Sequence, residues 1–259
     1  MDSPHVALVT GGSRGIGAAI ARRLAADGAA VFVAARGRAS SEELCASIEA
    51  GGGWARPLEL DVTDPDSIRA AAAAAAAERG PVDWVVANAG IAVSAPALAG
   101  EESYREHLEV NFHGARRTAE AFLPAMLEAG RGAVLSVASS AGLRGYPYVA
   151  AYCASKHALL GYVRSLAAEL GSNGIRFGAV CPHYVDSPML DASVERIVAK
   201  TGRDEAAVRD FFRRQNPGGR LVTPEDVAAA VAEWLAEGRN GAVLEMDGSG
   251  VRDVDEAGG

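Results

Sequence analysis

Val6-Ala7-Leu8-Val9-Thr10-Gly11-Gly12-Ser13-Arg14-Gly15-Ile16-Gly17 is the stretch whose reading decides the fold. Its first four residues are an apolar run that reads as a buried strand, and Ile20, Leu24 and several alanines continue as a helix beyond Gly17. Strand, glycine turn and helix in this order bring unpaired backbone N–H groups at a helix N-terminus to a pyrophosphate. Glycine permits both the tight turn and the close backbone approach. The spacing Gly11-x-x-x-Gly15-x-Gly17 departs from G-x-G-x-x-G, and on its own it also fits a plain turn. Its place directly after a strand favours the phosphate reading.

A second strand, Ala30-Val31-Phe32-Val33-Ala34, ends in Ala35-Arg36-Gly37-Arg38. A site that selects NAD places an acid at this strand end to hold the ribose 2′-hydroxyl. Ala35 supplies none, whereas Arg36, together with Arg14 in the glycine turn, suits a 2′-phosphate through charge-assisted bonds. The alternative for both arginines is a solvated surface role. The pattern favours NADP(H) over NAD(H).

Further strand signals fall at Leu58–Leu60, Val82–Val86, Ala133–Val137, Ile175–Val180 and Ala242–Met246, separated by helical stretches over 41–50, 65–79, 102–129, 151–171 and 224–237. This alternation predicts an α/β chain with a parallel sheet and helices on both faces. Thr10, Asp61, Asn88, Ser139 and Pro182-His183 stand at strand ends, where ligands of such sheets bind. The segment 187–219 breaks the rhythm and reads as a substrate cover with short helices near 191–200 and 204–215. The acidic, glycine-rich tail 253–259 is expected to fray.

The 259 residues suit a single domain, 1–259, and the 49% hydrophobic and 22% charged content is ordinary for a soluble protein. The opening apolar stretch lacks a basic flank and reads as no signal peptide, and the alanine run 70–77 is too short to span a bilayer. Cys45, Cys153 and Cys181 have no metal-ligand spacing and suit a reducing, cytoplasmic compartment; no metal site is expected. A net charge of −8 argues against broad nucleic-acid affinity.

Tyr152 and Lys156 lie four residues apart, and Ser139 lies thirteen residues before the tyrosine. On a helix this spacing puts phenol and ammonium on one face. A lysine cation beside a phenol favours the phenolate, and Ser139 can offer its hydroxyl to the same carbonyl oxygen. Alone, such a pair also describes an ordinary helix surface; the nucleotide motif earlier in the chain favours chemistry.

Together these motifs resemble the short-chain dehydrogenase/reductase family over roughly residues 5–248. Thr10–Gly17 matches its cofactor turn, Asp61 its adenine-side acid, and Ala87-Asn88-Ala89-Gly90 its Asn-Asn-Ala-Gly element with the first asparagine changed to alanine. Asn111 matches the family's helix asparagine, and Ser139 with Tyr152-x-x-x-Lys156 matches its catalytic set. Pro182 and Ser187 match positions that meet the nicotinamide side, with His183 replacing the usual glycine. The resemblance implies a Rossmann-type, doubly wound single domain, in which Tyr152 serves as proton donor in reduction. Ser139 would stabilise the oxyanion, Lys156 would lower the tyrosine pKa and reach the ribose, and Asn111 would hold a water linking Lys156 to solvent. It implies cofactor contacts from Gly11, Ser13, Arg14, Gly15, Ile16, Gly17, Arg36, Asp61, Val62, Asn88, Gly90, Tyr152, Lys156, Pro182, Val185 and Ser187.

The substrate side is expected to draw on Ser94, Leu143, Tyr146, His183 and Leu190. For His183 the alternatives are a packed loop side chain and an imidazole lining the mouth; His107, His113 and His157 read as interface or surface residues. Arg209, Arg213 and Arg214 either balance nearby acids or recognise a phosphate-bearing carrier. The cover and the run 219–226 are similar to those of bacterial 3-oxoacyl-thioester reductases and 3-hydroxyacyl-CoA dehydrogenases. That similarity implies reduction of a 3-oxoacyl thioester or related ketide, on CoA or a carrier protein. A dehydrogenase of a free hydroxy acid, sugar or cyclic alcohol is the enzymatic alternative, and a non-catalytic nucleotide-binding regulator the alternative of another class. Apolar helix faces over 102–129 and 152–170 predict a homo-oligomer, and the resemblance a tetramer.

Overall fold

The first strand already shows how the core divides. In β1 (Val6–Thr10), Ala7 and Val9 enter one apolar cluster, while Val6 and Leu8 enter another on the opposite face. This period-2 split with both faces buried is the signature of a sheet sandwiched between helices. The computed structural model describes residues 5–98 and 100–255. Its remaining strands are β2 (Ala30–Ala35), β3 (Trp54–Glu59), β4 (Trp84–Ala87), β5 (Gly132–Val137), β6 (Ile175–Pro182), β7 (Val243–Met246) and β8 (Val251–Asp253). The helices are α1 (Gly15–Ala26), α2 (Ala39–Ala50), α3 (Pro65–Arg79), α4 (Glu101–Leu108), α5 (Ala115–Ala129), α6 (Ala150–Leu170), α7 (Pro188–Thr201), α8 (Glu205–Gln215) and α9 (Pro224–Glu237).

The sheet order is β3-β2-β1-β4-β5-β6-β7-β8, parallel throughout except for β8, which pairs antiparallel with β7. The chain moves outward from β1 to β3 and then returns to β4 on the other side of β1. That reversal opens a crevice at the carboxyl ends of β1 and β4, where doubly wound sheets bind their ligands. One face packs Ile20 and Leu24 of α1, Leu44 and Ile48 of α2, and Val231 and Leu235 of α9. The other packs Ile68 of α3, Phe122 and Met126 of α5, and Leu159 and Leu160 of α6. Each such buried side chain contributes about 1.5–3 kcal/mol of transfer free energy.

Local signals explain the helix starts. Asp64 caps α3 by accepting from the Asp66 N–H at 2.9 Å, and Pro65 takes the first helical position. Thr223 and Asp226 form a reciprocal capping box on α9.

Three elements differ from the sequence expectation. The third strand begins at Trp54 rather than Leu58; Arg56 and Pro57 disguise it, and Pro57 is tolerated because β3 is the sheet edge. The predicted helix over 102–129 is interrupted by a π-helical turn, Glu109–Gly114. There the Asn111 side chain exchanges bonds with both main-chain groups of Ile91, at 2.8 and 2.9 Å, and Gly114 packs against Val62. Finally, the tail expected to fray from 253 is paired as far as Asp255, whose carboxylate takes two bonds from Arg164 at 3.0 and 3.1 Å. Residues 256–259 lie outside the described residues. Among the described residues no helix is long and apolar enough to cross a membrane.

Candidate active site

The glycine turn is built for close approach. Gly11 and Gly15 have φ of 60° and 53°, the left-handed region that glycine adopts freely. A Cβ at Gly17 would lie 2.2 Å from the Gly11 carbonyl oxygen and 2.7 Å from Asn88 Nδ2, so helix and turn touch backbone to backbone. Asn88 ties the crevice together, donating from Nδ2 to Thr10 O at 2.8 Å and to Gly11 O at 3.2 Å. Arg14 occupies the N-cap of α1 without a side-chain capping bond, which leaves the first-turn N–H groups facing the crevice. Pro188, following Ser187, sits against the position of a Gly15 Cβ at 3.2 Å, so the start of α7 closes over this turn.

Arg36 is exposed at the end of β2, and Ala35 beside it is buried. Asp61 is held below the usual carboxylate range, chiefly by the Thr63 backbone N–H, with help from the Thr63 hydroxyl and the Arg36 charge. Uncapped helix N-terminus, glycine-lined turn and two arginines fit a dinucleotide carrying a 2′-phosphate. Three of the expected contacts offer only backbone or a side-chain edge. Val62 and Val185 are buried, Val185 within the core cluster, and Ile16 packs partly against that same cluster. Gly90 lies where a Cβ would meet Asn111 Oδ1 at 3.1 Å and Lys156 Nζ at 3.7 Å, linking the nucleotide end to the proton-handling end.

At that end α6 presents Tyr152 and Lys156 on one face, with Lys156 Nζ 5.8 Å from the tyrosine ring centroid. Lys156 is buried and donates to Val137 O at 2.9 Å. Burial pushes its pKa down to about 8. Burial likewise pushes the Tyr152 phenol up to about 12, against a downward pull from its hydrogen bond with Ser139. Tyr152 keeps its proton at neutral pH, as an ordinary phenol does. Ser139 also accepts from Ala141 N–H at 3.1 Å, which fixes its oxygen at the tip of β5. Asn111 bonds Ile91 and, through Nδ2, Ser155 Oγ at 3.0 Å, so in this structure its side chain is a cross-brace between the π turn and α6.

The substrate-side residues separate into two groups. Ser94 is exposed near the mouth, and Tyr146 bonds Ser140 Oγ at 2.9 Å with its ring edge toward Tyr184. Leu143 is half-buried against the α6-side core. Leu190 packs with Val194, Val208 and Phe212 in a small core of α7 and α8, so its side chain serves that segment's own packing rather than the mouth. His183 also turns away from the expected role: its side chain is 2% exposed and its Nε2 is 2.8 Å from Glu245 Oε1. Glu245 is itself buried and also binds Arg144, from the loop after Ser139, and Arg252 of β8. Burial alone would raise the Glu245 pKa, but His183, Arg252 and Arg144 together hold it below the usual range. The arginines on α8 are engaged: Arg209 bridges Asp186, Asp191 and Glu205, and Arg213 and Arg214 both bind Asp210. Such exposed pairs contribute about 0–1 kcal/mol each and balance local charge.

Two residues escape the sequence reading. His107, expected at a surface or interface, is fully buried, with its ring edge-on to Tyr152 at 6.2 Å. The available signal is its i,i+4 relation to Asn111, which places it one turn away on the same helix face. Glu245 interrupts an otherwise apolar strand, and a charge inside a buried strand demands partners.

The model of the short chain dehydrogenase family matches residues 5–197. The short-chain reductase protein NovJ of Streptomyces niveus is 38% identical over 232 residues, 89% of this chain and 87% of that protein. The cis-4-hydroxycyclohexanecarboxylate dehydrogenase of Sinomonas cyclohexanicum is 36% identical over 94% of this chain and 95% of its own. Among solved structures, a single-substitution variant of actinorhodin polyketide ketoreductase with NADPH superposes with a TM-score of 0.90 at 35% identity, covering 95% of this chain and 97% of that one. With its doubly wound sheet, its uncapped glycine turn at the switch point, and Ser139, Tyr152 and Lys156 gathered at the same crevice, this chain belongs to the short-chain dehydrogenase family.

Proposed function

We propose that this protein is an NADPH-dependent ketoreductase that converts a ketone to a secondary alcohol, with 3-oxoacyl thioesters or related ketide intermediates as its substrate class. The observation that carries this reading is the gathering of Tyr152, hydrogen-bonded to Ser139, and Lys156 at the crevice beside the glycine turn. A phenol that keeps its proton at neutral pH can give it to a ketone oxygen as hydride arrives, and can take it back in the reverse reaction. NADPH, when bound, supplies the hydride. Ser139 would donate its hydroxyl proton in a hydrogen bond to the ketone oxygen, and Tyr152 would transfer its own proton to that oxygen as it becomes an alcohol. Lys156, at its observed depth, stands where a ribose hydroxyl can replace Val137 O as its partner. The glycine turn and α1 would hold the pyrophosphate, with Arg14 and Arg36 on the 2′-phosphate. Helices α7 and α8 would cover the cleft, since Pro188 already lies against Gly15.

Similarity to an NADPH-bound polyketide ketoreductase over 95% of the chain supports this reading. The similarity to a dehydrogenase of a cyclic hydroxy acid supports the alternative, oxidation of a small secondary alcohol. A panel of CoA thioester, carrier-protein thioester, free 3-oxo acid, cyclic ketone and sugar separates the two. The expected result is a kcat/KM for 3-oxoacyl thioesters well above that for the matching free acids, and preference for a small cyclic ketone or sugar would overturn it. Arg209, Arg213 and Arg214 are paired with acids, so a carrier phosphate that engaged them would have to displace Asp191 or Asp210.

Cofactor choice has its own test. NADPH should bind more than about tenfold tighter than NADH, a margin of about 1.4 kcal/mol. Arg36→Ala should erase most of that margin in a fluorescence titration, and equal affinities in the parent would refute the assignment. The buried, unpaired cysteines support a reducing, cytoplasmic setting. We read the assembly as a homotetramer; a monomer by light scattering would exclude it.

A further inference from the structure

We infer that His107 is a positioning residue for the substrate-side wall of the cleft, holding the loop after β4 at a set distance from Tyr152. It lies on α4, is fully buried, and uses both ring nitrogens. Nδ1 is 2.7 Å from Ser103 O. A carbonyl oxygen can only accept, so Nδ1 carries the proton. In the neutral ring Nε2 then offers its lone pair, and it receives the Val93 N–H at 3.1 Å. The network therefore specifies one tautomer and uses it to join the helix to the middle of a loop.

That loop is tethered at regular intervals. Ile91 is fixed by Asn111 through both its main-chain groups. Val93 is fixed by His107. Ala95 donates to Tyr148 O at 2.8 Å, and Tyr148, with φ of 65°, holds a backbone conformation that non-glycine residues rarely adopt. Tyr148 stands two residues before α6. Val93, Ala95, Pro96, Tyr104 and Tyr148 line one depression beside Ala151, the neighbour of the catalytic tyrosine. The His107 ring also meets Tyr152 edge-on at 71°. One imidazole thus touches the proton donor with its edge and the facing wall with its lone pair.

Chemistry and wall are separable in this arrangement. The proton lies on Tyr152 and Ser139, neither of which bonds His107. Removing the Val93 bond loosens the wall without removing the acid, so substrate capture weakens while turnover stays. His107→Leu keeps most of the volume and deletes the acceptor. His107→Gln places an amide oxygen near the site of Nε2 and restores the acceptor.

The assay uses whichever panel ketone the parent reduces fastest, so a parent inactive on every ketone sinks the functional reading rather than this one. His107→Leu is expected to raise KM about tenfold, equivalent to about 1.4 kcal/mol and in the range of one net hydrogen bond. Its kcat should stay within about threefold and its NADPH affinity within about twofold of the parent. His107→Gln should recover KM to within about twofold of the parent. Val93→Pro removes the donor from the loop side and should reproduce the KM rise, which keeps the test available if His107→Leu does not fold. A glutamine variant as impaired as the leucine one, a fall in kcat at constant KM, or a parent-like KM in Val93→Pro would each overturn the inference.

Discussion

Tyr152→Phe should lower kcat for ketone reduction at least about 100-fold, equivalent to about 2.7 kcal/mol of transition-state stabilisation, while NADPH affinity remains within about twofold. The substitution removes one oxygen and its proton. It keeps the ring, the edge contact with His107 and the proximity to Lys156. No neighbouring group among the described residues is ready to replace the acid. Cys181 is buried with its pKa raised to about 12, but it is a thiol bonded to the Ser139 backbone rather than a donor aimed at substrate. Lys156 has its pKa lowered to about 8, but its ammonium is directed to Val137 O. Single-turnover reduction with saturating NADPH isolates the chemical step. Near-parent turnover in that measurement would assign the proton to water or to another residue.

A second large effect is expected where no side chain exists. Gly17→Ala should weaken NADPH binding at least about 100-fold and lower the melting temperature. The added carbon would stand 2.2 Å from Gly11 O and 2.9 Å from its carbonyl carbon, and these are backbone atoms that cannot swing aside. Relief requires either that α1 retreat from the turn or that Gly11 abandon its φ of 60°. Both movements displace the N–H groups that would meet the pyrophosphate. Asn88 Nδ2, at 2.7 Å from the same position, would lose its bonds to Thr10 and Gly11 as well. Calorimetric titration with NADPH decides the point, and parent-like affinity would mean that the crevice is more plastic than its contacts indicate.

The parts of this molecule that are legible in sequence are those governed by local rules. The glycine turn, the alternation of strand and helix, and the Tyr152/Lys156 spacing each depend on residues close in the chain, and the crevice gathers them as expected. Boundaries fail where long-range bonds override local propensity. The stretch 102–129 reads as one helix despite Gly114 and Pro124, and its π turn is where the Asn111 side chain binds Ile91, twenty residues away. Histidines are the hardest to place, since the same residue type is at home on a surface and in a satisfied interior site. The partner of His183 lies 62 residues further along the chain, and the Val93 bond that defines His107 spans a loop. The α8 arginines read two ways in sequence, and only the positions of Asp186, Asp191 and Asp210 separate them.

The buried Glu245 carboxylate has a consequence for heredity and engineering rather than for catalysis. Its partners arrive from the loop after Ser139, from the segment after Pro182, and from the last described strand, with Arg144 standing 101 residues away. A buried charge stripped of one partner destabilises far more than the intact group stabilises. Exchanging any one of these three stretches alone therefore costs stability. A chimera that takes its final strand from a relative lacking Arg252, or its serine loop from one lacking Arg144, leaves a buried carboxylate with one partner fewer beneath the crevice. The end of this chain is part of the same hereditary unit as its middle.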